Sequence, residues 1–241
     1  MRKFLDAHCH ILPGVDDGAK DMDETRKMLE IAHKEGICII IATPHRHKER
    51  GMSELEELKE QLILVKEEAK IINENIHICL GMEVFFGQDI PDLLKNGKIA
   101  TINESNYVLL EFTQSDSFTY IQQSLQKVQV KGYRPIIAHA ERYECLVEDI
   151  SLVRHLVKMG ICIQVNANSI VTKKNRKVKK FVKKALDEQL IHLIGTDAHG
   201  ANERKPEMKK AAKYIENRCE EQYAKDILGY NGIRIIKNEM I

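Results

Sequence analysis

Seven short apolar runs, each followed by a longer amphipathic segment, constrain the fold of this chain more than any other feature. The runs are rich in Ile, Val and Leu and cover 3–10, 38–45, 77–84, 107–112, 134–142, 161–167 and 191–199. Near-continuous apolar runs are typical of parallel strands that are buried on both faces of a sheet. Between the runs, the periodicity predicts helices at 22–35, 53–74, 117–131, 149–159, 175–188 and 205–217. Ser53 and Glu56 form a capping-box pattern at the start of the second helix.

The regular alternation of strand and helix predicts an α/β fold with a single closed barrel over residues 1–241. No linker or shift in composition divides the chain into two domains. A doubly wound open sheet is the alternative arrangement. The chain contains neither a G-x-G-x-x-G motif nor a P-loop, so neither nucleotide-binding fingerprint is present.

The composition bears on the partners and the cellular compartment of the protein more than on its chemistry. The 37 basic and 36 acidic residues give a formal net charge of +1, which favours neither nucleic acid nor membrane as a partner. No apolar run approaches the roughly 20 residues that a transmembrane helix needs, and we expect a cytoplasmic protein. The six cysteines form no C-x-x-C pair and are interpreted as core residues in a reducing compartment. The basic segment 173–184 is more often a solvated helix face, with a docking patch for an acidic partner as the alternative.

Six of the seven runs end in His, Glu or Asp, which is the main functional signal in the sequence. These residues are His8, His10, His45, Glu83, Glu111, His139, Asp197 and His199. The sixth run offers only Asn166 and Asn168. A single histidine at a strand end is usually a hydrogen-bonded structural residue, but six such ends together predict a shared site. In a parallel barrel, the carboxyl ends of all strands open onto one face, where active sites are built.

The residue types at these strand ends predict a metal centre. Buried carboxylates and imidazoles in such numbers require cations to compensate their charge. Nitrogen and oxygen ligands without thiolate favour Zn, Mn or Fe. Because the set exceeds what one ion uses, we expect two or three ions a few ångströms apart. A glycine-flanked turn after the first run adds Asp16 and Asp17 as further candidates.

These motifs together resemble the PHP (polymerase and histidinol phosphatase) metallophosphoesterases. The resemblance rests on "DAHCHILPGVDDGA", "GICIIIATPH", "GMEV", "VLLEF", "KGYRPIIAHAER" and "LIHLIGTDAH", and it extends over nearly the whole chain. Within that family, the chain is most similar to the capsule and exopolysaccharide tyrosine-protein phosphatases of Gram-positive bacteria. The resemblance implies a distorted seven-stranded (β/α)7 barrel, similar to a TIM barrel, with a trinuclear centre at the carboxyl ends of the strands.

The resemblance also implies how the ligands are shared among the ions. Manganese is the implied metal, with iron or zinc as alternatives on the same ligands. One ion takes His8, His10 and Asp197, with Glu83 bridging to a second ion that adds Glu111 and His139. A third takes His45, His199 and one aspartate of "VDDG". Spacing from His8 favours Asp16 for that position, and Asp17 is the alternative.

The implied chemistry is attack on phosphorus by a metal-activated hydroxide. Arg142 and Arg204 match arginines of the family and are the candidate catalytic residues, because a planar guanidinium suits phosphoryl oxygens. Cysteine-dependent tyrosine phosphatases need an arginine six positions after the nucleophile. None of the six cysteines has one there, which excludes that mechanism.

We therefore expect a manganese-dependent protein-tyrosine phosphatase that acts on the phosphotyrosine-bearing tail of a bacterial tyrosine kinase controlling capsule or exopolysaccharide synthesis. No nucleic-acid partner and no transmembrane segment are expected, and assembly into a homo-oligomer is left open. The alternatives are a small-molecule phosphatase of histidinol-phosphate type, a nuclease that uses the same metals, and a non-enzymatic regulatory module stabilised by metal.

Overall fold

Parallel strands alternate with helices around a curled sheet in a computed structural model, which describes residues 3–46 and 54–241. The strands are β1 (Phe4–Cys9), β2 (Ile37–Ala42), β3 (His45–Arg46), β4 (His77–Leu80), β5 (Glu83–Phe85), β6 (Tyr107–Glu111), β7 (Arg134–Ile137), β8 (Cys162–Asn166) and β9 (Leu193–Gly195). The helices are α1 (Met22–Glu35), α2 (Leu55–Ile72), α3 (Ile90–Lys95), α4 (Phe118–Val130), α5 (Glu144–Glu148), α6 (Ile150–Lys158), α7 (Ala167–Val171), α8 (Arg176–Asp187), α9 (Lys209–Arg218), α10 (Glu221–Lys225) and α11 (Asn231–Ile236). A π-helical stretch, Asp226–Tyr230, joins α10 to α11.

The predicted count of seven strands is not confirmed, because the second and third runs each break into two strands. The first break follows β2 at Thr43 and Pro44, and the second follows β4 at Gly81 and Met82. Proline has no N–H to donate to a ladder, which accounts for the first break. The broken runs remain neighbours, since the N–H of Gly81 donates to the Ala42 carbonyl over 2.8 Å.

All strand pairs in the described residues are parallel, as the apolar runs predicted. They form a three-stranded sheet in the order β1-β2-β4 and a six-stranded sheet in the order β3-β5-β6-β7-β8-β9. The chain after β9 returns to β1, where the Asp197 N–H donates to the His8 carbonyl over 2.7 Å. The His10 N–H in turn donates to the Ala198 carbonyl over 2.9 Å. This curl, rather than an open doubly wound sheet, brings the first and last runs together.

The helices cover the outside of the sheet and bury its apolar side chains. The six predicted helices are present within a few residues of their expected ends, although Ser53, the expected cap of α2, lies outside the described residues. The segment from α10 to α11 was not predicted. It packs against β1 so closely that a Cβ on Gly232 would lie 2.4 Å from Cδ2 of Leu5. Across residues 3–46 and 54–241, no helix combines the length and apolar character needed to span a bilayer.

One histidine outside the polar strand ends gives the fold a pH dependence. Burial lowers the pKa of His192 to about 4, and its Nδ1 accepts a hydrogen bond from the Ile163 N–H over 3.1 Å. The folded state therefore binds this proton less tightly than the unfolded chain, whose histidine pKa is about 6.5. The stability that the neutral imidazole provides is present above about pH 6.5 and is lost as the pH falls through 4.

We expect wild-type protein to lose about 2–3 kcal/mol more unfolding free energy than His192→Gln between pH 7.5 and 4.5. Glutamine keeps a hydrogen-bond acceptor and removes the titration. Urea unfolding of both proteins in chelator measures the difference. Equal losses for the two proteins contradict this role of His192.

Candidate metal centre

The polar strand ends predicted from the sequence converge on one face of the sheet. His8, His45, Glu83 and Glu111 lie on strands β1, β3, β5 and β6, and the other candidates lie on the loops that follow β1, β7 and β9. The buried residues among them are His8, His10, His45, Glu83, His139 and Asp197. Convergence follows from the parallel order of the strand runs, because β3 and β5 begin where the runs of β2 and β4 end, on the same side as the carboxyl ends of the other strands.

Glu83 lies at the middle of the cluster. Its Oε2 is 3.1 Å from Nε2 of His8 and 3.3 Å from Nε2 of His10. The same oxygen is 3.1 Å from Nδ1 of His45, and Oε1 is 2.7 Å from Nε2 of His139. One carboxylate thus lies within hydrogen-bonding distance of four imidazoles, as a bridging ligand would.

Three groups of side chains have ligand atoms close enough together to hold an ion. They are His8, His10 and Asp197; His45, Glu83 and Glu111; and His10, Asp17, His45 and His199, with ligand atoms within 4.8 Å of one another in each group. The first group has the same protein ligands as the first predicted set. His139 lies beside the second group, with its Nε2 3.6 Å from Oε1 of Glu111.

The two aspartates of the turn after β1 have different surroundings. Asp17 faces the third group, with Oδ1 3.3 Å from Nε2 of His45 and 3.5 Å from Nε2 of His199. Asp16 instead accepts from the N–H groups of Gly18 and His45, and its Oδ2 is 2.8 Å from Nδ1 of His10. Because both Asp16 oxygens are engaged in fixing the loop and the His10 ring, Asp17 is the aspartate that faces the cluster.

Asp197 joins the cluster to both candidate arginines. Arg142 donates to Oδ2 of Asp197, and Nη2 of Arg204 lies 2.7 Å from Oδ1. The Asn166 amide also donates to Oδ2 over 2.9 Å. The arginine side chains are 34% and 41% exposed, whereas Asp197 is 3% exposed. Both guanidinium groups are therefore accessible to a solute that approaches the buried candidate ligands.

The electrostatics of the cluster are dominated by charged carboxylates. Burial opposes ionisation of Glu83, but the surrounding imidazoles hold its pKa well below the usual range. Burial likewise disfavours a charged His10, yet its hydrogen bonds to Asp16 and Glu83 raise its pKa to about 10. Burial lowers the pKa of His45 to about 4. The site therefore contains ionised carboxylates and at least one neutral imidazole, which is the ligand state that metals require.

This donor set fits divalent metal ions. The Nε2 atoms of His8 and His10 lie 3.1 Å apart, so both rings can face one cation, and one ring can donate to the other when no cation is bound. Oε2 of Glu83 and Nε2 of His199 are buried without a well-aligned hydrogen bond, although each lies within 3.1 to 3.5 Å of another candidate ligand. Unsatisfied buried atoms are costly, so their convergence is explained by ligation. All donors are nitrogen or oxygen, which suits Mn, Fe or Zn.

Backbone strain marks two of the candidate ligands. His139 has φ of 31° and Asp197 has φ of 53°, both in the left-handed region that few residues other than glycine adopt. Such conformations cost about 1–3 kcal/mol and cluster at functional sites. Here they turn the chain sharply after β7 and β9, so that both side chains point back over the strand ends.

Sequence reasoning missed the contribution of buried polar residues inside the runs. Gln164 on β8 accepts from the His139 N–H over 2.6 Å, and its Oε1 is 3.3 Å from Nδ1 of His8. Asp6 on β1 accepts from the N–H groups of His8 and Thr196. The available signal was a polar residue within an otherwise apolar strand. These side chains orient the candidate ligands without belonging to the three groups.

None of the cysteines within the described residues belongs to the three groups. Cys9, between His8 and His10, is fully buried on the opposite side of β1, and burial raises the pKa of its thiol. Reactive cysteines have lowered pKa values and solvent access. Cys9 has neither property.

Comparison with known proteins shows the family to which the chain belongs. The profile of the family described as "Capsular polysaccharide synthesis, CpsB/CapC" matches residues 4–237. The chain is 32% identical over 243 residues to tyrosine-protein phosphatase CpsB of Streptococcus pneumoniae, covering 99% of this chain and 100% of the relative. It is 33% identical over 216 residues to tyrosine-protein phosphatase YwqE of Bacillus subtilis, covering 88% of this chain and 84% of the relative.

A solved structure supports the same relationship. It comes from work on YwqE from Bacillus subtilis and CpsB from Streptococcus pneumoniae, described as unique metal-dependent tyrosine phosphatases. It has a TM-score of 0.89 and 30% sequence identity, covering 98% of this chain and 96% of the solved one. The sequence, the curled parallel sheet and the profile match agree, and the chain belongs to the CpsB/CapC family of capsular polysaccharide synthesis.

Proposed function

We propose that this protein is a metal-dependent protein-tyrosine phosphatase. The observation that carries the proposal is the convergence of imidazoles and carboxylates around Glu83, in a chain whose relatives are named tyrosine-protein phosphatases. The catalytic unit is a single domain over residues 1–241, a distorted barrel built from seven strand runs. The substrate is the phosphotyrosine-bearing tail of a bacterial tyrosine kinase that regulates capsule or exopolysaccharide synthesis in the cytoplasm.

Manganese is the proposed metal, with two or three ions per chain and with iron or zinc as alternatives on the same ligands. The first ion would be held by His8, His10 and Asp197, the second by Glu111 and His139, and the third by His45, His199 and Asp17, with Glu83 bridging. When bound, such ions lower the pKa of coordinated water and neutralise phosphoryl oxygens.

The residues of this chain would position the substrate and balance its charge. Arg142 and Arg204 flank Asp197 and are partly exposed, so each guanidinium can turn towards the phosphoryl group that enters the site. A planar guanidinium binds two phosphoryl oxygens at once. The leaving phenolate has a pKa of about 10 and needs little protonation to depart. Charge stabilisation by the arginines is therefore sufficient help for the leaving oxygen.

A phosphate-release assay on a phosphotyrosine peptide tests the function. Manganese-loaded protein is expected to hydrolyse the peptide with a higher kcat/KM than histidinol phosphate or single-stranded DNA. Chelator and the His139→Ala substitution should each lower the rate by at least about 100-fold, because removal even of an outer-shell partner costs 10–100-fold. Re-adding Mn²⁺ after chelation should restore wild-type activity.

Single Cys→Ser variants at all six cysteines provide the control, and each is expected to retain activity. If any of them abolishes turnover while metal stays bound, the mechanism without a cysteine nucleophile is wrong. Preference for histidinol phosphate or DNA would assign the site to the alternative enzymes. Full metal binding without hydrolysis of any phosphoester would leave only a structural centre and overturn the proposal.

A further inference from the structure

A cavity of about 470 Å³ adjoins the metal centre on the side of β8 and β9. Its lining includes Thr196, which directly precedes Asp197, and Arg204, which contacts Asp197. The far side is formed by α7 and by the start of α9. A molecule that occupies the metal face therefore has an open space beside its reacting group.

The cavity is lined by three basic and two acidic side chains, and one of the basic ones, Arg204, already contacts Asp197. Arg204, Lys205 and Lys210 line it together with Glu35 and Glu207. Oε2 of Glu35 accepts hydrogen bonds from the N–H groups of Met208 and Lys209 over 3.0 and 2.8 Å, so its charge is directed at the start of α9. Among the described residues, neither Lys205 nor Lys210 forms an ion pair within 4.0 Å. These two ammonium groups remain available to an anionic ligand.

A second observation extends this basic character along the surface. We call segment 173–184 the basic ridge. It contains eight Lys or Arg residues and no acidic residue, although the whole chain has a net charge of only +1. All eight side chains are exposed, while Phe181 and Val182 face the core. The ridge follows α7, which packs against both α8 and α9. The cavity and the basic ridge thus lie on either side of the same short helix.

Simple solvation does not explain this concentration of like charge. Lys179 and Lys183, and likewise Lys180 and Lys184, are four residues apart on α8, a spacing at which like charges destabilise a helix. The one ion pair of the ridge within the described residues joins Lys177 to Glu148 over 3.4 Å, and both side chains are highly exposed. Such a pair contributes little. Binding of an anionic partner would reduce the repulsion among the lysines of this helix.

We propose that the cavity and the basic ridge bind acidic side chains that flank the phosphotyrosine of a peptide substrate. The inference rests on the proposed phosphatase function and specifies its substrate class. The ligands are carboxylates, or further phosphates, of the same peptide. Lysine provides a mobile point charge rather than a planar fork, so the surface recognises negative charge without requiring one fixed sequence.

Steady-state kinetics on matched peptides tests the inference. The peptides contain phosphotyrosine flanked on both sides by glutamate, by glutamine or by further phosphotyrosine, and a small aryl phosphate serves as the reference substrate. Wild-type enzyme is expected to show a KM about three- to tenfold lower for the acidic peptides than for the glutamine peptide, as one or two exposed charge pairs allow. Added salt should reduce this preference, while kcat changes little.

Two multiple variants locate the effect. Lys205→Gln with Lys210→Gln removes the two lysine charges of the cavity, and Lys179→Gln with Lys180→Gln and Lys183→Gln removes three of the eight charges of the ridge. Both should lose the preference for acidic peptides and keep wild-type kcat on the aryl phosphate. The matched control, Lys66→Gln with Lys70→Gln, lies on α2 towards the amino end of β4 and should keep the preference.

The outcomes separate this inference from the proposed function. Absence of aryl phosphate hydrolysis by the manganese-loaded enzyme contradicts the phosphatase function itself. Hydrolysis with equal KM values for acidic and glutamine peptides overturns only the substrate class, as does a preference that survives both variants. Sedimentation with phosphatidylglycerol vesicles that depends on the ridge, without any peptide preference, would assign the surface to a membrane instead.

Discussion

Replacing Glu83 with glutamine is expected to lower kcat/KM on a phosphotyrosine peptide by at least about 100-fold, and to lower the metal content of the purified protein. The carboxylate lies within 2.7 to 3.3 Å of imidazole nitrogens on four histidines. Glutamine has nearly the same shape but carries no charge, and its NH₂ group donates where a cation would bind. The substitution therefore removes the negative charge at the middle of the candidate metal centre while leaving packing almost unchanged.

Metal analysis by mass spectrometry, alongside kinetics, checks this expectation. Glu56→Gln is the matched control, because Glu56 forms only an exposed ion pair with Lys59 at 2.8 Å. That variant should retain wild-type metal content and activity. A Glu83→Gln protein with full metal content and unchanged kinetics would show that Glu83 is needed neither for metal binding nor for catalysis.

Gly195→Ala is expected to have the largest effect on stability. A Cβ at this position, at the end of β9, would lie 2.5 Å from Cβ of His8 and 3.0 Å from Nε2 of Gln164. Overpacking of a well-filled interior costs about 1–3 kcal/mol and sometimes more. For a chain of this size, that corresponds to a fall in Tm of about 2–12 °C. Because His8 must move, metal affinity should fall as well.

Thermal unfolding of the metal-loaded and chelated proteins measures both effects. Gly229→Ala is the control, since an added Cβ there meets only the Lys3 carbonyl oxygen at 3.9 Å in a helical segment. It should be neutral or slightly stabilising, because alanine is the better helix former. If Gly195→Ala matches that control in Tm and metal content, the close approach of β9 to β1 is needed neither for stability nor for metal binding.

The sequence was sufficient for the order of elements and for most of the candidate site. Parallel strands have a fixed polarity, so a polar residue that ends an apolar run must lie on the same face as the others. Strand polarity alone, without any distance, predicts that His45, Glu111 and His139 lie together although they are far apart in the chain. The apolar periodicity predicted the helices for the same reason, since burial follows the period of each element.

What the sequence could not provide was geometry within turns. Asp16 and Asp17 are adjacent and chemically identical, and only the loop conformation decides that Asp16 contacts His10 while Asp17 faces His199. The breaks at Pro44 and Gly81 could have been read from the residue types, because both interrupt regular strands. Gln164 could not be assigned a partner, since a buried polar residue reveals a need for hydrogen bonds but not which groups supply them.

The meeting of β1 with the chain after β9 has a consequence for biosynthesis. His8 and Asp197 are joined by a backbone hydrogen bond of 2.7 Å although 188 residues lie between them in the chain. A nascent polypeptide on the ribosome exposes its first histidines long before the matching aspartate has been translated. Contacts of such long sequence separation carry a loop-closure cost that slows folding. Translation products that stop before Asp197 therefore lack part of the candidate metal centre.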